Sequence, residues 1–122
     1  TDVIFSPRTL VQPDVVVVPL KDGTRPRTQA EAGKPVLAVE IVSPGSARTD
    51  RVRKRALYQR ERVPEYWIVD PDARVIERWR PDDNRPEILV DRIIWQPAGA
   101  AEPMTIELAA FWEEVFGGAT AR

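Results

Sequence analysis

The chain has 122 residues, 43% of them hydrophobic and 30% charged, a composition typical of one small soluble globular domain. It contains neither cysteine nor histidine, which excludes disulfide bonds, zinc sites of the Cys/His kind and catalysis by Ser-His-Asp or Cys-His groups. The net charge of −1 argues against a basic nucleic-acid coat, and no apolar run is long enough to span a bilayer. The lack of cysteine and of a signal peptide favours a cytoplasmic location.

Two buried strands and a helix are predicted in the first half of the chain. The β-branched run at residues 15–18 predicts a short strand buried on both faces, and residues 20–34 have the composition of a surface loop. A second buried strand is predicted over residues 36–42, where a Ser-Pro-Gly-Ser break ends it. A helix is then expected to begin at Thr49 or Asp50 and to end near residue 61.

The second half of the chain predicts a hairpin followed by shorter elements. Strands at residues 66–69 and 75–80 flank an Asp-Pro-Asp-Ala turn, which places proline where a type I turn favours it. The remaining predicted elements are a short strand at 88–90, a loop at 97–103, an extended segment at 104–108 and a helix at 109–116. Strands on both sides of a crossover helix, continued as a meander, indicate an α/β sheet of mixed direction.

Two carboxylates lie at or inside the predicted buried strands. Asp14 begins the first strand and Glu40 lies within the second. A buried carboxylate is costly unless it is paired, hydrogen-bonded or bound to a metal, and two of them at one sheet edge suit Mg²⁺ or Mn²⁺. Such an ion can polarise a phosphate and activate a water. Taken singly, Asp14 can be an ordinary turn residue and Glu40 can pair with an arginine, so both interpretations stay open.

A strongly basic helix follows the second strand directly. Between Arg48 and Arg62 there are seven basic and two acidic residues, a net charge of +5. Few acidic residues are available for pairing along this helix, and an unneutralised cationic face beside two carboxylates is what a phosphodiester substrate requires. Lys54 could supply the cation that stabilises developing charge or orients the water. A merely solvated charged face is the alternative interpretation.

Three stretches of the sequence, "QPDVVVV", "VEIVSPGSARTDRVRKRALYQRERVPEYWIVDP" and "MTIELAAFW", resemble the Uma-type restriction endonucleases, bacterial members of the PD-(D/E)xK nuclease superfamily. The resemblance covers about residues 11–116. It implies a restriction-endonuclease-like mixed sheet flanked by helices, with residues 1–122 in a single nuclease-like domain. It also implies Mg²⁺- or Mn²⁺-dependent hydrolysis of DNA.

The family pattern assigns roles to particular residues of this chain. The resemblance makes Asp14, Glu40 and Lys54 catalytic, and it makes Asp14, Glu40 and Ile41 metal ligands. The usual lysine position of the superfamily falls on Val42, and Lys54 on the following helix matches the lysine that stands in for it. The expected contacts to nucleic acid come from Arg48, Arg51, Arg55 and Tyr58.

Aromatic residues have a simpler interpretation. Tyr58 lies one turn beyond Lys54 and is within reach of a phosphate, yet packing in the core is its favoured role. Packing is also the prediction for Tyr66, Trp67, Trp79, Trp95 and Trp112.

Members of the family normally have an earlier helix-and-strand region, which this sequence lacks, and the first residue is not methionine. The chain is therefore expected to be the C-terminal part of a longer domain. Three functions stay open: a DNA endonuclease, a catalytically silent nucleic-acid-binding module with the same fold, and an oligomerisation module. DNA is the expected partner, with a homodimer as an open possibility.

Overall fold

The computed structural model describes residues 3–6, 9–11, 15–18, 34–42 and 48–120. Within these ranges the elements are β1 Val3–Ser6, β2 Thr9–Val11, β3 Val15–Val17, β4 Leu37–Ile41, α1 Arg48–Arg60, β5 Glu65–Asp70, β6 Val75–Trp79, β7 Glu87–Leu89, β8 Arg92–Trp95, β9 Met104–Glu107 and α2 Leu108–Thr120. Neither helix is long and apolar enough to cross a membrane in the part of the chain that is described.

Five strands form the central sheet, in the order β3-β4-β5-β6-β7. Strands β4 and β5 are parallel and are connected through α1, whereas the other neighbours are antiparallel. The β5–β6 hairpin closes through a turn in which the Asp70 carboxylate accepts a hydrogen bond from the Ala73 amide at 3.1 Å, a common role for aspartate at the start of a turn. The predicted sheet of mixed direction, flanked by helices, is confirmed.

One hydrophobic core lies between the sheet and α1. Its buried members are Ala38, Tyr58, Val63, Tyr66, Ile68 and Trp79, and Val42 packs against them. Side chains alternate between the two faces along a strand. Because Ala38 and Val42 of the β4 segment point to this face, Glu40 between them points to it as well. This alternation fixes which side of the sheet Glu40 faces.

A second core lies on the opposite side of the sheet. Here Leu37, Trp67, Val69 and Ile76 pack against Ile93, Leu108 and Trp112 from the β8–β9 ribbon and α2. Residues 66–69 of β5 are all buried, since this central strand is covered on both faces. The predicted packing roles of Tyr66, Trp67, Trp79 and Trp112 are therefore confirmed.

Arg78 connects the β8–β9 ribbon to the central sheet through hydrogen bonds. Its side chain is buried, with a relative exposure of 5% for the residue. Its guanidinium pairs with Glu87 at 2.8 Å and donates a hydrogen bond to the carbonyl oxygen of Ile94 at 2.7 Å. A buried guanidinium needs such partners, since an unpaired buried charge strongly destabilises a fold.

Two sequence predictions about strands need correction. Residues 15–18 were predicted to be buried on both faces, but Val15 is 47% exposed. The prediction is wrong for Val15, because this residue lies on an edge strand of the described sheet and lines an open apolar cavity on the side that faces α2. Strand β8 was not predicted, since of its residues only Ile93 is fully buried and its partner β9 lies beyond an intervening loop. The helix predicted from residue 49 or 50 to about 61 is confirmed as α1.

Candidate active site

Glu40 occupies the α1-facing side of the sheet near the end of β4. It lies between Ala38 and Val42 in the alternating pattern, and both of these residues contribute to the core under α1. Its side chain is 16% exposed, so the carboxylate is largely removed from water. A carboxylate in this position requires a compensating cation or hydrogen-bond donor.

Lys54 supplies one such partner. Its ammonium lies 3.0 Å from Glu40 Oε1, within hydrogen-bond distance, and its side chain is 14% exposed. The contact forms because α1 crosses over β4 and brings its second turn above the carboxylate. The structure therefore brings together two of the three residues predicted to be catalytic.

The second carboxylate oxygen of Glu40 is not satisfied in the same way. Glu40 Oε2 is buried and makes no hydrogen bond to any residue that the structure describes. Leaving a buried acceptor without a partner costs about 1–3 kcal/mol. Carboxylate oxygens are among the ligands that hard divalent cations prefer, and Glu40 Oε2 is one such oxygen.

Asp14 lies outside the described residues, and so does the predicted pairing of the two carboxylates. Val15, which follows Asp14 in the sequence, pairs with Val39, which precedes Glu40. Ile41 has a 49% exposed side chain, and the atom that it can offer to a metal is its backbone carbonyl oxygen. Among the described residues no group of three aspartate, glutamate, histidine or cysteine side chains is placed to hold a metal.

Tyr58 is part of the core beneath the site. Its side chain is fully buried, and its ring lies 4.8 Å from that of Tyr66. Burial raises the pKa of the Tyr58 hydroxyl well above its ordinary value, and the nearby charge of Glu40 raises it further. The structure supports the packing role, because a side chain in this position cannot contact a nucleic acid without leaving the core.

The basic side chains of α1 occupy different environments. Arg55 stacks on the indole of Trp79, with 4.4 Å from its guanidinium carbon to the ring centroid. Arg51 is half-buried and lines a cavity of about 360 Å³ beside this stack. Arg48 lies in the first turn of α1, and its side chain is outside the described part.

Sequence reasoning missed the residues opposite these arginines. Glu77 and Trp79 of β6 face α1, and the Trp79 indole donates a hydrogen bond to Glu77 at 3.2 Å. The alternation in the stretch Val-Ile-Glu-Arg-Trp contains the signal, because it places Glu77 and Trp79 on one face and Arg78 on the other. The alternation alone does not reveal that α1 covers the face with Glu77 and Trp79.

The comparisons with known proteins agree with this architecture. The model of the Uma2 family, described as "Putative restriction endonuclease", matches residues 1–109. The chain is also similar to a solved structure described as a "putative nuclease belonging to DUF820" from Anabaena variabilis, with 18% sequence identity and a TM-score of 0.63. That match covers 85% of this chain and 60% of the Anabaena chain. A search of the curated proteins found no significant match.

Proposed function

The chain belongs to the Uma2 family, whose description is "Putative restriction endonuclease". We propose that it is an endonuclease that hydrolyses DNA phosphodiester bonds with Mg²⁺ or Mn²⁺. One observation carries the proposal: Lys54 binds one oxygen of Glu40, while the other oxygen is buried without a described hydrogen-bond partner. The chain spans 60% of the length of the Anabaena protein that it resembles.

The metal would be held at Glu40 Oε2, which offers the buried oxygen that a divalent ion prefers. We assign Asp14 as the second carboxylate on sequence grounds, because it precedes Val15, whose partner across the ladder is Val39, next to Glu40. Ile41 would contribute its backbone carbonyl oxygen. When bound, the ion polarises the phosphate and lowers the pKa of a water for attack.

Lys54 and the arginines perform the remaining tasks. The Lys54 ammonium lies 3.0 Å from Glu40, and its task would be to hold the attacking water or to stabilise the negative charge that develops on the phosphate. Arg51 lies one turn before Lys54 on α1 and is half-buried, so it is suited to bind the neighbouring phosphate of the same strand. Arg48, in the first turn of α1, is assigned the same task on sequence grounds.

The position of the lysine is compatible with this role. Val42, which occupies the usual lysine position of the superfamily, packs in the core under α1. Its side chain therefore points to the same face of the sheet as Glu40. Lys54 contacts Glu40 on this same face, so the helix supplies a lysine to the side of the sheet toward which residue 42 also points.

Nicking of supercoiled plasmid in Mn²⁺ tests the proposal. The wild type is expected to convert supercoiled to open-circular DNA, and EDTA is expected to stop the reaction. Glu40→Gln keeps the shape of the side chain but loses the charge that holds a metal, so it should abolish nicking and remove a Mn²⁺-binding event seen by calorimetry. Glu107→Gln, an exposed carboxylate on β9, is the matched control and should nick like the wild type. Equal nicking by Glu40→Gln contradicts the proposal.

A catalytically silent DNA-binding module is the second candidate, and the same ion pair favours it. Lys54 already neutralises the charge of Glu40 in this structure, so the site is electrostatically balanced with the chain's own residues. In that case Mn²⁺ should not bind, and the wild type should bind DNA with a steep salt dependence while never nicking it. A homodimer stays a prediction, to be tested by sedimentation of the free protein.

A further inference from the structure

A cavity of about 360 Å³ lies between α1 and β6, beside the Glu40–Lys54 pair. Its lining residues are Arg51, Val52, Arg55, Ile68, Glu77 and Trp79. Ile68, Val52 and the Trp79 ring make it partly apolar, while two guanidinium groups and one carboxylate make it partly charged. Apolar walls with a few polar groups at defined positions are typical of small-ligand sites.

The charged groups of the cavity have capacity left for a ligand. Arg51 and Arg55 form no ion pair with any residue in the described ranges, and Arg55 Nε is buried there without a hydrogen-bond partner. Glu77 accepts one hydrogen bond, from the Trp79 indole at 3.2 Å, and its other oxygen remains available as an acceptor. Two cations against one anion favour a ligand that carries negative charge and also has a hydrogen-bond donor.

The cavity has a fixed position relative to Glu40. Glu40 pairs with Ile68 across β4 and β5, and Ile68 pairs with Glu77 across β5 and β6. The three side chains therefore lie in one row on the face that α1 covers. Two inter-strand spacings of about 4.8 Å separate Glu77 from Glu40 along this row, so the cavity lies within about 10 Å of the proposed metal site.

We propose that this cavity binds one unpaired nucleotide of a DNA strand, next to the phosphate that is hydrolysed. The assignment rests on the proposed function. Arg51 binds the phosphate of that nucleotide. The base stacks on the guanidinium plane of Arg55, which Trp79 supports from the other side at 4.4 Å. Arginine planes are established stacking surfaces for unpaired bases.

Glu77 gives the cavity a base preference. A carboxylate accepts a hydrogen bond from the exocyclic amino group of cytosine, which thymine does not have. The other charged groups that line the cavity, on Arg51 and Arg55, are donors only and offer cytosine and thymine no further acceptor. The site should therefore favour strands of cytosine over strands of thymine.

Binding of labelled single-stranded oligo(dC) and oligo(dT) in EDTA tests the proposal without cleavage. The wild type should bind oligo(dC) about tenfold more tightly than oligo(dT), the ratio that one good carboxylate–base contact supplies. Glu77→Gln keeps an acceptor for the Trp79 indole, so the fold should survive, but the cytosine preference should shrink. Equal affinity for the two strands in the wild type, or no binding of either, overturns the assignment.

Arg55→Gln tests the stacking. It should weaken oligo(dC) binding about tenfold, the loss typical of one stacked base. Arg60→Gln removes the same charge from an exposed position on α1 outside the cavity, and it should cause only a small loss that is equal for both strands. Circular dichroism of each variant checks folding, and Arg51→Gln gives a second test if Arg55→Gln unfolds. Equal losses from Arg55→Gln and Arg60→Gln contradict the stacked base.

The two proposals can fail separately. If the wild type nicks plasmid in Mn²⁺ but Arg55→Gln and Glu77→Gln bind like the wild type, the nucleotide site is wrong and the nuclease function stands. If the wild type never nicks but its cytosine preference depends on Glu77, the nucleotide site stands and the nuclease function is wrong.

Discussion

The contact between Lys54 and Glu40 predicts a large energetic coupling between them. The two charges lie 3.0 Å apart, and their side chains are 14% and 16% exposed. At an effective dielectric constant of about 20, Coulomb's law gives an attraction of about 5 kcal/mol, which desolvation reduces. Removing one partner of a buried pair costs about 3–5 kcal/mol because the other charge is left alone. We therefore expect Lys54→Met to destabilise the metal-free protein by about 3 kcal/mol.

A double-mutant cycle isolates this coupling from other effects. Urea unfolding in EDTA would compare the wild type, Lys54→Met, Glu40→Gln and the double variant. The double variant should be more stable than Lys54→Met, because it no longer carries a buried unpaired charge. Saturating Mn²⁺ should restore more stability to Lys54→Met than it adds to the wild type, since a ligand of the folded state stabilises it by mass action. A coupling energy below about 0.5 kcal/mol would refute the reasoning.

Three further predictions concern stability. Hydrogen bonds from Arg78 lower the pKa of Glu87, so Glu87 stabilises the fold above its ordinary pKa near 4.5, and this contribution is lost as the pH falls. The Glu87→Gln variant should therefore show a flatter dependence of stability on pH below that value. Burial raises the pKa of Tyr58, so the contribution of this residue to folding stability is present below about pH 10 and is lost at higher pH. The Tyr58→Phe variant should therefore unfold less readily in alkali than the wild type. Ile93→Ala should cost about 2–5 kcal/mol in urea unfolding, whereas Ile94→Ala next to it, which is 51% exposed in the wild type, should cost far less.

Local patterns in the sequence predicted the elements that depend on neighbouring residues. The β5–β6 hairpin follows from an Asp-Pro turn between two apolar runs. Helix α1 follows from the Ser-Pro-Gly-Ser break, although it begins at Arg48, one residue before the expected start at Thr49 or Asp50. Strand β8 was missed because its only fully buried residue, Ile93, is covered by distant parts of the chain. The edge position of β3 was missed because the four consecutive valines at residues 15–18 read like a fully buried central strand.

For the candidate site, too, the sequence predicted individual residues but not the contacts between distant parts of the chain. Glu40 and Lys54 were named from the sequence, first by residue type and position and then by the family resemblance, but their 3.0 Å contact depends on how α1 crosses the sheet. The stacking of Arg55 on Trp79 joins two residues 24 positions apart, and nothing in the local sequence connects them. The predicted role of Arg55 in DNA binding stays a prediction, now with a defined geometry. Asp14 also stays a prediction, since it lies outside the described residues.

The rate of plasmid nicking by Lys54→Ala relative to the wild type, measured in saturating Mn²⁺, tests the central claim most directly. The claim is that Glu40 holds a metal while the Lys54 ammonium beside it serves the reaction. Loss of one such preorganised cation typically lowers a rate about 10²- to 10³-fold, and we expect a loss of that size with Mn²⁺ binding retained. A Lys54→Ala protein that nicks as fast as the wild type, at the same Mn²⁺ occupancy, would contradict the account.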